Sequence, residues 1–535
     1  TVESKLSGVS ASISDVVYGV RTASGKLNIT DGTFNVSAST ENYTNAVNNT
    51  EAVRVGNNVA DTVYISGGTF TATPNGSSSN TIGVNLRGGR AFISGGSFTA
   101  KVGVQAIDYA EATTTAIATV SGGTFNCSTY PIRAHITTRT VDGVTYTATG
   151  QIIVTGGHFK STGSSIVSYT SGATLTLQGG YYNEKTSGTT FKTQLGNYVS
   201  DPYEVFVLED GDENKTAGYS YEVCEKRVAK VKVGSTTTYY TDLKVAIDYA
   251  KTQTVSTTPT ITVLKDNTPS AAITFNPSNT NMVATLDLNG CETSFVGTNT
   301  TALLTISSAK MIITDGTAGQ AGILKKTGAN AHICVQVTGG TMDMQGGTIY
   351  SDRTGDATYT VRVNSSGNVT MSGGKIEGHS TAVASGLNVY TTATVSGGEI
   401  KAYGATGANG INLVSNDATS PSTMLTVSGS PFVYAEVTGQ STASALAATK
   451  GSTTIGGTPT FTAVSPKTAV AVNVSTAGTS ATINGGVFNA EATTTTYAVY
   501  VSAASATING GKFKTDKSDI IKAVSSGTLQ VNGGY

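Results

Sequence analysis

The sequence predicts an all-β protein made of parallel β-solenoids with three strands to the coil. Three observations lead there: a short glycine-pair motif recurs along the chain, its spacing has a floor near 23 residues, and short β-branched runs surround it. The motif reads V-S-G-G-T-F at Val120, and variants of it start at Ile29, Ile65, Ile93, Val154 and Leu177. Further copies start at Met344, Met371, Val395, Val427, Ile483 and Ile508. From Gly68 to Gly96 the interval is 28 residues, from Gly374 to Gly398 it is 24, and from Gly511 to Gly534 it is 23. Three strands of about five residues with their turns fill roughly 20 to 25 positions, so the floor matches one coil and longer intervals place their extra residues in loops.

Each part of the motif has a physical role. The paired glycines supply a turn at positive φ and a close approach between coils. The aromatic or isoleucine that follows them, one variable residue on, is expected to point inward. Phe34, Phe70, Phe98, Phe125 and Phe159 would then stack as a ladder, with Ile349, Ile376 and Ile400 doing the same later in the chain. Asn484, Asn509 and Asn532, just before the glycines, would stack as an amide ladder at about 4.8 Å per coil.

In chain order, residues 1–200 form a first parallel β-helix with lateral insertions at Ser39 to Asn58 and Arg133 to Thr149. Residues 201–233 form a charged, β-hairpin-like connector, because eight acidic and five basic residues fall between Asp201 and Lys232 and the motif disappears. Residues 234–535 form a second parallel β-helix, with a capping helix near 241–251. Leu243, Ala246, Ile247 and Ala250 share a face there, and Thr241 or Asp242 can cap its start. The similar texts Thr174-Leu-Thr-Leu-Gln-Gly-Gly-Tyr181 and Thr528-Leu-Gln-Val-Asn-Gly-Gly-Tyr535 suggest two modules of a longer tandem array, or end-to-end stacking.

The order Tyr240-Thr-Asp-Leu243, Ile261-Thr-Val-Leu-Lys-Asp266, Leu286-Asp-Leu-Asn-Gly290 and then repeated S-G-G-x-F resembles the adhesin-like cell-surface repeat proteins of anaerobic gut bacteria. The resemblance implies right-handed parallel β-helices of the pectin-lyase-like type and a structural or adhesive role. It covers residues 235–535 by the whole pattern and 1–233 by the repeat alone.

Composition narrows the function. A net charge of −1 with 13% charged residues gives no basic face for nucleic acid and no polybasic segment for a membrane surface. No apolar run approaches the roughly 20 residues of a membrane span. Cys127, Cys224, Cys291 and Cys334 are isolated and form no disulfide framework or metal motif. Asp210, Asp212 and Asn214 have the spacing that begins a calcium loop, but Lys215 stands where glycine is needed and Tyr221 where glutamate is needed, so a solvated acidic turn is preferred. His135, His158, His332 and His379 are too scattered to form a metal site by spacing, and His158 reads as a solvent-facing rung residue. Asp343, Asp352, Asp356 and Glu377 lie near adjacent motifs and read as surface carboxylates rather than a catalytic pair. No catalytic, cofactor-binding or metal-ligating residue is therefore assigned.

The expectation is a non-enzymatic, extracellular or bacterial cell-surface rod that presents loops to glycans or host proteins and can associate end to end. The alternatives are a polysaccharide lyase or glycosidase, and a glycan-binding module. Carboxylates clustered with a basic residue in a groove would favour the enzyme, and aromatics flush on one flat face would favour glycan binding.

Overall fold

The computed structural model describes residues 2–6, 17–22, 25–38, 49–56, 58–73, 80–107, 109–110, 112–163, 165–183, 189–254, 257–296, 301–329, 331–414 and 424–535. The fold is an all-β parallel solenoid of about 17 turns with three short helices among the described residues. No helix among those residues is long and apolar enough to cross a membrane. Its contacts divide the chain into Thr1–Lys226 and Arg227–Tyr535.

In the first unit, the strands that follow the glycine pairs line up in parallel, so that Phe34, Phe70, Phe98, Phe125 and Phe159 fall at one register position. Their rings stack at 4.8, 4.7, 4.7 and 5.0 Å, and Tyr182 extends the ladder at 5.2 Å. This interior ladder is the expected one. Strand Thr62–Ile65 and its neighbours Lys26–Ile29 and Arg90–Ile93 form part of a second parallel sheet. Beyond Tyr181–Tyr182 the sheet turns antiparallel: Tyr221–Glu225 pairs with Tyr181–Tyr182, and Tyr203–Val207 pairs with Tyr221–Glu225.

In the second unit the strands belong to three sheets in rotation, every third strand returning to the same sheet. Asn368–Met371, Lys375–Ser380 and Val383–Val389 occupy the three sheets in turn, and Thr392–Val395 comes back beside the first. Buried and part-exposed residues alternate along Lys375–Ser380, which is the period of two that lets a strand bury one face and solvate the other. Ile349, Ile376 and Ile400 share one register position and are fully buried, as expected. The amide ladder is also present: Asn509 Nδ2 donates to Asn484 Oδ1 at 2.8 Å, and Asn532 Nδ2 donates to Asn509 Oδ1 at 2.7 Å.

The glycine pair works by two separate constraints, clearest at Gly122 and Gly123. Gly123 sits at φ +93°, where side chains are strained. Gly122 has no such φ, but a Cβ there would lie 2.3 Å from the Ser94 carbonyl oxygen of the preceding coil.

Helix α1 spans Thr189–Gly196, α2 spans Glu213–Thr216 and α3 spans Leu243–Ala250. Only α3 was anticipated. The Asp242 side chain caps it by accepting from the Lys244 amide, and Leu243, Ala246, Ile247 and Ala250 are buried against the first strands of the second unit. Those strands are Ala229–Val233, antiparallel to both Thr236–Tyr240 and Thr260–Val263.

Several readings need correction. α1 lacks an apolar stripe, and of its described side chains only Leu195 is buried, so periodicity had no purchase on it. The lateral insertion at Arg133 to Thr149 takes the form of an antiparallel hairpin, Ile136–Val141 with the start of Val144–Val154. Of the insertion at Ser39 to Asn58, residues 39–48 and 57 lie outside the described residues, and Asn49–Val55 is a strand. Phe432 closes its motif but does not enter the core: Pro431 adds one residue to the turn, Val433 takes the register position of Ile400, and Phe432 is displaced outward.

Candidate functional site

The four acidic candidates do not converge. Asp343 lies on the outer side of another sheet, paired with Lys310 at 2.7 Å and accepting from Thr370 Oγ1 at 3.0 Å. Asp356 sits in a turn, where Arg353 reaches it at 3.1 Å. Asp352 and Glu377 share a surface, the outer face of the sheet that contains Thr348–Arg353, Lys375–Ser380, Glu399–Gly404 and Phe432–Val437.

This face is built by a local rule. After each inward Ile or Val, the next and third residues point out and a small residue between them points in. Ser351, Gly378, Ala402 and Ala435 fill those inner positions. Register then assembles two outward columns: Tyr350, Glu377, Lys401 and Tyr434 form one, and Asp352, His379, Tyr403 and Glu436 form the other. Tyr350, His379, Tyr403 and Tyr434 zigzag between the columns as a continuous row, with ring centroids 5.4, 4.5 and 5.6 Å apart. The His379 and Tyr403 rings are stacked within 17°, whereas the outer two contacts are tilted by 39° and 47°. Phe432 packs beside Tyr434 at 6.0 Å, and Lys401 Nζ lies 5.5 Å from its ring centroid. All five rings are half-buried.

Most charged groups on this face are paired with a neighbour. Glu377 accepts from His379 Nε2 at 2.8 Å and is paired with Lys375. Lys401 pairs with Glu399 at 2.7 Å, and Tyr434 Oη donates to Glu436 at 2.8 Å. The hydrogen bond from His379, resisted by burial and reinforced by Lys375, holds the Glu377 carboxyl down from its ordinary 4.5 to about 2. Burial, together with the hydrogen bond to Glu436, pushes Tyr434 up; burial and the Glu377 charge do the same for Tyr403. Both phenols are thus kept as protonated hydrogen-bond donors.

Continuing along the same face, a cleft of about 700 Å³ is lined by residues that include Glu436, Ser465, Glu491, Thr493, Asp516 and Lys517.

Glu377 carries a pH prediction. A folded-state pKa below the ordinary one contributes stability that is present above the ordinary value and is lost as pH falls through the folded value, so the window here runs from 4.5 down to about 2. Across that window the Glu377→Gln variant should lose less thermal stability than the parent protein. Parallel losses in acid-melting curves would show that the carboxylate is not linked to folding.

Elsewhere the singled-out residues serve the scaffold. Asp210 pairs with Lys215 at 2.7 Å, which holds its carboxyl below the usual range. Asp212 caps α2 through the Asn214 amide, and Asn214 Oδ1 meets His158 Nε2 at 3.2 Å. The calcium-like spacing is therefore used to cap a helix and brace a neighbouring strand. His158 is not solvent-facing: it is half-buried, stacked on Tyr181 at 5.0 Å and covered by Tyr219 at 5.1 Å. His135 hydrogen-bonds to Ser168 at 2.9 Å, and His332 packs on Tyr359 at 5.1 Å. The four cysteines are free; burial pushes the Cys127 and Cys334 thiols up to about 12. Among the described residues, no group of three or more His, Cys, Asp or Glu side chains is placed to hold a metal ion.

The aromatic row escaped sequence reasoning because its members are divided between the first and third positions after the inward residue. The four-residue texts I-Y-S-D, I-E-G-H, I-K-A-Y and V-Y-A-E, aligned on that residue, contain the signal.

No family model matches the chain, and no curated protein or solved structure shows significant similarity to it. The parallel β-helix part of the sequence resemblance stands on the fold; the adhesin-like and pectin-lyase-like part rests on the motifs alone.

Proposed function

We propose that this chain is a non-enzymatic extracellular or bacterial cell-surface repeat protein, similar to the adhesin-like pectin-lyase-type β-helices, built of two right-handed, three-stranded helices in tandem. On this reading it presents the Tyr350–Tyr434 face to cell-surface glycans or to glycosylated host proteins, and copies associate end to end. The observation that carries the proposal is the row of four aromatic side chains along the outer face of one sheet. Side chains with an apolar body and a polar tip suit a ligand that mixes C–H patches with hydroxyl groups.

Electrostatics favours binding over turnover. On the aromatic face the Glu377 carboxyl is displaced downward, whereas a glycosidase acid must be raised to stay protonated near neutrality. A second reading, a polysaccharide-active enzyme, draws on the cleft: Glu436 and Glu491 stand on strands two apart, about 9.6 Å along the axis, at the upper edge of the roughly 6.5–9.5 Å separation of an inverting pair.

One experiment separates the two readings. The whole chain is applied to a glycan array, and reducing-sugar release is followed on plant and host polysaccharides. Binding without release is expected. Sustained release from any polymer would replace the first reading with the second, and a blank array would remove the glycan-contact role.

A further inference from the structure

Resting on the glycan-contact reading, we infer that the Tyr350–Tyr434 strip takes a neutral, extended polysaccharide laid parallel to the solenoid axis, about one sugar to each strand. Charge and spacing carry this independently of each other.

On the strip, two lysines, Lys375 and Lys401, stand among four carboxylates, Asp352, Glu377, Glu399 and Glu436. Each lysine already holds a carboxylate of the same strand, Lys375 with Glu377 and Lys401 with Glu399. A uronate or sulfate group would have to break one of these pairs and would meet a net negative field. An amino-sugar cation finds Glu377 already held by His379 and Lys375, and Glu399 by Lys401, which leaves Asp352 and the phenol-bonded Glu436 as the carboxylates it meets. A neutral hydroxylated chain asks nothing of the ion pairs. It needs only contact with the outer edges of the rings and hydrogen bonds to the phenol tips along the row.

The spacing selects polymer shape. Aromatic centroids recur at 5.4, 4.5 and 5.6 Å, one ring per strand, because the parallel register imposes its repeat on whatever side chains stand outside. That interval is close to the length one hexose adds to an extended β-1,4-linked chain. A ligand running across the strands meets a new ring at each sugar; one running along a strand meets a single ring and then solvent. Four rings therefore correspond to four consecutive sugars.

The test uses the full chain and calorimetric titration with β-1,4-glucose oligomers from disaccharide to hexasaccharide, set against oligogalacturonates and glucosamine oligomers of the same lengths. Affinity for the neutral series should rise to the tetrasaccharide, level off, and change little with added salt. Tyr403→Ala should weaken tetrasaccharide binding about tenfold, or ~1.4 kcal/mol, with an unchanged melting temperature. Thr394→Ala, on a different sheet, should leave binding as it was. Tighter, salt-sensitive binding of either charged series would overturn the neutral-ligand inference while the glycan-contact reading stood. Equal binding by a folded Tyr403→Ala protein would show that the sugar sits elsewhere. Failure of every oligomer to bind would take down the glycan-contact reading itself.

Discussion

Replacing Gly123 with valine is expected to cost the first unit at least ~3 kcal/mol, seen as a large drop in its denaturation midpoint. Two strains combine. A β-branched residue at φ +93° is a genuine backbone outlier, worth about 1–3 kcal/mol, and the new Cβ would stand 3.1 Å from the carbonyl oxygens of both Gly95 and Gly96. Neither oxygen can move without disturbing the glycine pair of the coil before it. Gly122→Ala isolates the second kind of strain, since its Cβ would press on the Ser94 oxygen at 2.3 Å with no φ penalty. An unchanged midpoint in either variant would show that the coils can spread to admit a methyl group.

Phe125→Ala should destabilise the first unit by about 3–5 kcal/mol, the cost of truncating a fully buried aromatic. Phe125 also loses two stacking partners, Phe98 at 4.7 Å and Phe159 at 5.0 Å. Phe34→Ala should cost less: Phe34 keeps 8% of its surface exposed and stacks on Phe70 alone among the described residues. Because a solenoid coil packs mainly on its immediate neighbours, the damage from Phe125→Ala should concentrate between Ser97 and Ser161. Hydrogen exchange read by residue would detect this. Uniform loss of protection over the whole unit would show that its coils unfold together.

Where the chain repeats itself, its fold was legible. A glycine pair followed by an inward side chain specifies a coil, and stacking identical coils is what turned Phe70, Phe98 and Phe125 into a ladder that could be named in advance. The structures that were missed interrupt the repeat. α1 has no amphipathic period, and Pro431 shifts a strand by one residue, which turns Phe432 from core to surface. The candidate site was hidden for a different reason. Repeats advertise what is common to their copies, whereas Tyr350, His379, Tyr403 and Tyr434 are what differs between them, brought together only by register. Two of the four acidic candidates, Asp352 and Glu377, did prove to share a face, but the partners that set the character of Glu377, Lys375 and His379, stand beside it on its own strand.

The stacking of successive coils also has a mechanical consequence. Strands of the second unit run across its axis, so the hydrogen bonds between Lys375–Ser380 and Glu399–Gly404 point from coil to coil. A pulling force along the axis therefore loads these bonds in tension, one coil's set at a time, instead of shearing a whole strand at once. Yielding would proceed coil by coil, each detached coil releasing some two dozen residues of slack before the next takes the load. A tether made this way lengthens stepwise under a sudden tug and rewinds on the remaining coils when the tension drops.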